Sequence, residues 1–290
     1  MKGLILAGGS GTRLSPLTKA FSKQLLPVYD KPMIYFPIST LVAAGITEIA
    51  IITTPDDQNL FQKLLGTGEK LGLKFTYVVQ KTPRGLAEAF LLNEEFIDNS
   101  NCALILGDNL FHGVGLGREL SKYKEIQGAQ IFGYTVANPG EYGVIEIAED
   151  NEVISIEEKP VNPKSNNAVP GLYFYDNQVV EIAKSIKPSS RGELEITSIH
   201  QAYLEMKMLK ATLLPRGTAW FDTGTFTNLH DASTYVRILE QRQGIKVGCL
   251  EEIVWRKNLI SREQLLNLVS EIHDTSTAQY LENLVNAESY

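Results

Sequence analysis

The first fourteen residues place the tightest limit on what this chain can fold into. The apolar run Gly3-Leu4-Ile5-Leu6-Ala7 breaks into Gly8-Gly9-Ser10-Gly11 and closes on Thr12-Arg13-Leu14. So short an apolar run reads as a strand buried on both faces, the kind found in parallel sheets covered by helices. The glycines let backbone N–H groups converge on an anion. The arginine adds a planar cation that can grip phosphate oxygens in two places. The loop therefore points to a phosphorylated small molecule.

It is not a dinucleotide fingerprint. Leu14 stands where the third glycine is needed, and the second strand, Glu48–Thr54, runs into Thr-Thr-Pro without the ribose-binding acid. Nor is it a P-loop, because no Gly-Lys-Ser/Thr follows at the required spacing. The loop leads instead to Lys23-Gln24, set just before Leu25-Leu26-Pro27, a poor place for a freely solvated lysine.

Strand and helix patterns alternate through the first half. Gly3–Ala7, Glu48–Thr54, Lys74–Val79 and Cys102–Leu106 read as buried strands. Asp56–Leu65 and Leu86–Ile97 carry helical spacing, the latter with Asn93 as the one polar member of its apolar stripe. The middle changes to short strands, Gln130–Val136, Tyr142–Ile147, Val153–Glu158 and Leu172–Tyr175, with turn signals at Asn138-Pro139-Gly140 and Glu149-Asp150-Asn151. Short connections imply antiparallel pairs. A helix over Glu195–Lys207 should bury Ile196, Ile199, Tyr203 and Met206, followed by a strand near Ala211–Leu214 and a loop at Ala219–Gly224. Thr227–Arg242, Leu259–Val269 and Ala278–Asn286 are helical. The expectation is an α/β fold, a doubly wound, Rossmann-like mixed but mainly parallel sheet flanked by helices. Residues 1–224 form its core, and 225–290 a helical appendage of the kind that often serves oligomerisation.

A net charge of −7 argues against nucleic-acid and anionic-membrane surfaces, and no apolar run approaches a membrane span. Cys102, inside an apolar strand, and Cys249 do not make a disulfide framework, so the cytoplasm is the expected compartment. His112, His200, His230 and His273 show neither nucleophile nor metal-ligand spacing, and His200 and His230 read as packing or surface residues. Asp108 closes a strand at the carboxyl edge where open α/β sheets bind ligands, and Asp222 sits in Trp220-Phe221-Asp222-Thr223-Gly224. Two carboxylates with phosphate oxygens suffice for Mg²⁺.

The run Gly8 to Pro27 resembles the signature of the sugar-1-phosphate nucleotidylyltransferases, and Ser22 to Met33 is very similar to bacterial glucose-1-phosphate thymidylyltransferases of the short form. The likeness continues in order through Gln80, Gly85-Leu86-Ala87, Gly107-Asp108-Asn109, Tyr142-Gly143-Val144, Glu157-Glu158-Lys159-Pro160, Gly171 to Asp176, Arg191 to Thr197 and Trp220 to Thr225. Arg84, where related sequences often carry an acid, and Pro170, where a small polar residue is expected, depart from it.

The resemblance implies transfer of dTMP from dTTP to glucose 1-phosphate, giving dTDP-glucose and pyrophosphate, the first step toward dTDP-L-rhamnose. The sugar phosphate attacks the α-phosphorus in line. It is already an anion and needs no base, so cations must bring two anions together. On this likeness Asp108 and Asp222 hold Mg²⁺. Arg13 and Lys23 meet the triphosphate with Gly8, Gly9, Gly11 and Thr12. Gln24, Gln80 and Gly85 meet the base, and Lys159 and Arg191 the sugar phosphate. Asn109, Tyr142, Gly143, Glu158 and Val169 surround the glucose. The likeness also implies a homotetramer with feedback by dTDP-rhamnose, for which Gly115, Glu251, Ile253 and Arg256 are loose regulatory candidates. UTP or another hexose phosphate would preserve the chemistry. A non-catalytic nucleotide-sugar sensor is disfavoured by the intact charged set, and a glycosyltransferase by Asp108-Asn109-Leu110, which lacks the second acid of an Asp-x-Asp pair.

Overall fold

A computed structural model describes residues 1–9, 11–148 and 152–287; the turn expected at Glu149-Asp150-Asn151 lies outside them. The strands, in chain order, are β1 (Lys2–Leu6), β2 (Pro27–Val28), β3 (Lys31–Pro32), β4 (Glu48–Thr53), β5 (Lys74–Val79), β6 (Cys102–Leu106), β7 (Asn109–His112), β8 (Ala129–Thr135), β9 (Gly143–Ile147), β10 (Val153–Glu158), β11 (Asn167–Ala168), β12 (Leu172–Tyr175), β13 (Leu209–Leu213) and β14 (Ala219–Asp222). Ten of them form one mixed sheet in the order β10-β9-β11-β8-β12-β6-β1-β4-β5, with β13 added parallel to β8. The strands β6, β1, β4 and β5 run parallel, whereas β12 is antiparallel to both β6 and β8.

Alternation along β1 explains why both faces of this sheet are covered. Ile5 and Ala7 join one apolar layer, and Leu4 and Leu6 the other. Full burial of each such leucine or isoleucine contributes about 2 kcal/mol. The chain leaves β1 for β4 on one side and later returns to β6 on the other. Their carboxyl ends therefore flank a topological switch point, where open sheets leave a crevice. The glycine loop and Asp108 both emerge there.

The helices differ from expectation in instructive ways. The stretch expected as one helix over 86–97 is two, Glu88–Leu92 and Glu94–Ile97. Buried Asn93 interrupts it, with Nδ2 donating to the Ala89 carbonyl at 2.8 Å and its backbone at φ −116°. The helix Ile196–Glu205 buries Ile196, Ile199 and Tyr203, but Met206 lies past its end and is exposed. The expected loop at 219–224 is largely the strand β14, paired antiparallel to β7. Near the carboxyl terminus, Leu250–Arg256 is an additional helix, and the next one starts at Arg262 rather than Leu259. Ser261 caps it with a capping box to Gln264. Leu250, Val254, Leu265, Val269, Leu281 and Val285 pack into the same apolar layer as Ile5. Both cysteines are free and buried, and among the described residues no helix is long and apolar enough to cross a membrane.

Candidate active site

Antiparallel pairing sets Asp222 opposite Asn109, one residue from Asp108. The Asp108 backbone is pinned there, its carbonyl accepting from Thr223 N at 3.0 Å and Thr223 Oγ1 at 2.7 Å. Gly107 precedes it because a Cβ at that position would lie 2.9 Å from Gln24 Cγ and from the Leu6 carbonyl oxygen. Asn109 uses both ends of its amide. Oδ1 accepts from Gly171 N (3.0 Å) and Trp220 Nε1 (2.7 Å), while Nδ2 donates to Asp108 Oδ1 at 3.0 Å.

Lys23 Nζ pairs with Asp108 Oδ2, and both side chains are largely buried. Burial raises Asp108, but the Lys23 charge and the hydrogen bonds from Lys23 and Asn109 outweigh it and hold this carboxyl below its ordinary range. Asp222 goes the other way. Burial pushes it up, and the neighbouring Asp108 charge adds to the rise against weaker pulls from Gly224 N–H, Lys23 and Arg13. Asp222 Oδ1 accepts from Gly224 N at 3.0 Å. A Cβ on Gly224 would sit 2.7 Å from Arg13 Nη2 and 2.9 Å from Asp222 Oδ1, so Arg13 closes over the same spot.

Among the described residues no group of three or more His, Cys, Asp or Glu could hold an ion. Two opposed carboxylates, one of them strained by like charge, are nevertheless a donor set that a divalent oxygen-seeking cation would relieve. The residues fit Mg²⁺, which takes few protein ligands and completes its shell with water and phosphate.

The glycine loop is shaped for approach. Gly9 (φ 108°) and Gly11 (φ 56°) adopt left-handed backbone, and a Cβ on Gly11 would strike Thr18 Cγ2 at 2.9 Å. Thr12 and Arg13 lie in the short 3₁₀ turn that follows. Gln24 is buried with Oε1 accepting from Ser22 Oγ, and Gln80 is buried beside Gly8. Gly85 (φ 105°) packs so closely on Leu194 that a Cβ would lie 2.4 Å from its carbonyl oxygen.

Arg13, Asn109, Tyr142, Gly143, Glu158, Lys159, Val169 and Asp222 line one cleft. Glu158 Oε2 accepts from Thr197 Oγ1 at 2.9 Å and faces Gly143. Lys159 is held in a left-handed conformation (φ 43°) just before Pro160, a strained placement of the kind that clusters at functional sites. Arg191 is half-exposed on a loop next to Lys159 and pairs with Glu195 at 2.9 Å. Sequence reasoning missed Trp220, Tyr173, Thr197 and Glu195 in these walls. Trp220 was within reach, since it shares a strand face with Asp222 two residues on. His200 also lines the cleft. Burial drops it to about 3, so it is neutral, with Nε2 2.7 Å from the Tyr175 hydroxyl.

A family profile for nucleotidyl transferases matches residues 2–237. The chain is 53% identical to a glucose-1-phosphate thymidylyltransferase of Mycolicibacterium smegmatis over 288 residues, covering 99% of this chain and 100% of the relative. The chain belongs to the glucose-1-phosphate thymidylyltransferase family of nucleotidyl transferases. Another family member, from Neisseria meningitidis, is 50% identical over 286 residues, covering 98% and 99% of the two chains. A Bacillus anthracis chain described as a glucose-1-phosphate thymidylyltransferase, solved with sucrose, superimposes with a TM-score of 0.75 at 41% identity, covering 82% of this chain and 95% of that one. A UDP-glucose pyrophosphorylase solved with UDP-glucose gives 0.72 at 29% identity, covering 82% and 98%.

The four regulatory candidates lie away from the cleft. Ile253 and Arg256 line a second pocket with His112, Lys246 and Glu252. Gly115 begins the helix Leu116–Ser121, whose Leu116 and Leu120 line the same pocket. Glu251 accepts from the Cys249 thiol at 3.4 Å.

Proposed function

We propose that this chain transfers dTMP from dTTP to α-D-glucose 1-phosphate, forming dTDP-glucose and releasing pyrophosphate. The observation that carries this reading is the meeting of Lys23, Asp108, Asp222 and Arg13, drawn from separate segments, beside a cleft that Arg13 and Asp222 line together with Glu158 and Lys159. The likeness to glucose-1-phosphate thymidylyltransferases supports the choice of substrates.

The sugar phosphate is its own nucleophile, so the protein must position it and neutralise charge. In this reading the backbone of Gly8, Gly9, Gly11 and Thr12 cradles the triphosphate, with Arg13 and Lys23 on its oxygens. Gln24, Gln80 and Gly85 receive the base. Asn109, Tyr142, Gly143, Glu158 and Val169 surround the glucose, and Lys159 and Arg191 draw in its phosphate. Mg²⁺ held by Asp108 and Asp222 would neutralise charge developing at the α-phosphate. The first 110 residues form the nucleotide part, residues 111–224 the sugar-phosphate part, and the remaining helices an oligomerisation and regulatory region.

The same reading extends, on family likeness alone, to a cytoplasmic homotetramer that feeds dTDP-L-rhamnose synthesis and is inhibited by that product near Gly115, Glu251, Ile253 and Arg256. Pyrophosphate release from dTTP, dUTP, UTP, dCTP and ATP against several sugar 1-phosphates, with and without Mg²⁺, tests the core proposal. Metal-dependent release is expected to be highest with dTTP and glucose 1-phosphate. Absence of metal-dependent release from every pair would reject it.

A further inference from the structure

We infer that Glu88 is a positioning residue that fixes the orientation of the Gln80 amide and so decides which base the site accepts. The inference rests on Gln80 meeting the base, as in the proposed function. A glutamine side chain turned end for end exchanges its donor for its acceptor, and the neighbours decide which way it points. Here the neighbour is a carboxylate, which only accepts. Glu88 Oε2 accepts from Gln80 Nε2 at 2.8 Å. The other oxygen, Oε1, accepts from Arg84 Nε at 2.8 Å and Nη2 at 2.6 Å. Glu88 and Gln80 are both buried. Turning the amide would press its carbonyl against the carboxylate with no water to separate them, so the orientation is fixed.

Gln80 Oε1 consequently faces the glycine loop, where it would lie 3.3 Å from a Cβ on Gly8. What Gln80 shows the base is an acceptor. A base seated there must supply an N–H, as the imino group of thymine or uracil does. Cytosine presents a bare ring nitrogen at that place and would leave two acceptors facing each other.

Arg84 completes the device from the surface. Its side chain is 68% exposed, so it compensates the buried carboxylate while remaining solvated itself. Its carbonyl accepts from Leu194 N at 2.7 Å, which anchors the segment that carries it. Arg84, one of the two positions that depart from the family pattern, is thus the partner of the buried acid.

The test compares wild type, Glu88→Met and Glu88→Gln with dTTP, dUTP and dCTP, measuring kcat/KM by pyrophosphate release and equilibrium affinity by calorimetry. Methionine removes the acceptor while keeping the length of the side chain. Glutamine can present either end, so it should restore the preference in part, and it serves as the reporting variant if Glu88→Met does not fold. In the methionine variant the preference for dTTP over dCTP should fall by about tenfold or more, mainly through the nucleotide KM. The dTTP to dUTP ratio should not move, because both bases carry the imino N–H. A folded variant whose three nucleotides weaken equally would show that Glu88 is structural and overturn the inference. Wild type that binds dTTP without turnover would overturn the proposed reaction and leave the affinity ratio to decide the role of Glu88. Wild type that binds none of the three would overturn both.

Discussion

Near the glycine loop, Lys23, Gln24 and Gln80 are bound to Asp108, Ser22 and Glu88, and all of these partners are buried or nearly so. At the hollow that Lys159 and Arg191 share, Arg191 stands half in solvent on a loop, tied to Glu195, and Lys159 projects from a strained strand end. Folding therefore holds the first set of side chains in buried pairs before any ligand arrives, while the second leaves its cations exposed to solvent. Substitutions should separate along this line. Changes at the buried end should alter rate and base choice, and changes at the exposed end should alter the capture of one substrate.

The largest effects belong to the two aspartates. Asp108→Asn and Asp222→Asn should each lower kcat by about 10³-fold or more, with the circular dichroism of the wild type. Near-normal turnover in either variant would remove that residue from the reacting centre. Arg191→Ala should be gentler. An exposed ion pair adds little to stability, so the thermal midpoint and the KM for dTTP should stay put. The KM for glucose 1-phosphate should rise by roughly tenfold, an order-of-magnitude figure for the loss of one charge-assisted contact. An equal rise for both substrates would erase the contrast between the two ends.

The smallest effect is one of stability. Asp222 has a folded-state pKa raised above its unfolded value, so the native state binds this proton more tightly. The resulting stabilisation is fully present below the unfolded pKa and is lost as pH rises through the folded one. As pH rises toward neutrality, the metal-free protein therefore loses the stability that the protonated, buried Asp222 contributes. Asp222→Asn should raise the thermal midpoint of metal-free protein at neutral pH by roughly 2 °C, with the gain shrinking as pH falls toward the ordinary carboxylate range. A lower midpoint at neutral pH would contradict the raised pKa.

Much of this arrangement was legible in the sequence. Lys74–Val79, Cys102–Leu106, Val153–Glu158 and Leu172–Tyr175 have the expected bounds because strands rich in apolar residues announce themselves without help from distant parts. The strand β14 did not, since four residues are too few for alternation to stand out from a loop. The helix over 86–97 broke at Asn93 because a side-chain amide competes for the Ala89 carbonyl that the helix would use. The charged residues at the cleft were found through their family pattern, but their pairings were not, since Lys23 meets Asp108 and Gln80 meets Glu88 only after folding. Thr197 and Tyr173 lie inside runs that match the family pattern, but nothing local marks them as wall residues, as their place comes from tertiary packing.

The bond that the protein breaks in dTTP decides the reaction. Incubation with Mg²⁺, glucose 1-phosphate and dTTP carrying an isotopic label on its α-phosphorus, followed by separation of the products, answers this directly. The prediction is that the label appears in dTDP-glucose and the unlabelled phosphates leave together as pyrophosphate. Label recovered in free dTMP, or left in dTDP while another phosphate is transferred to the sugar, would contradict it.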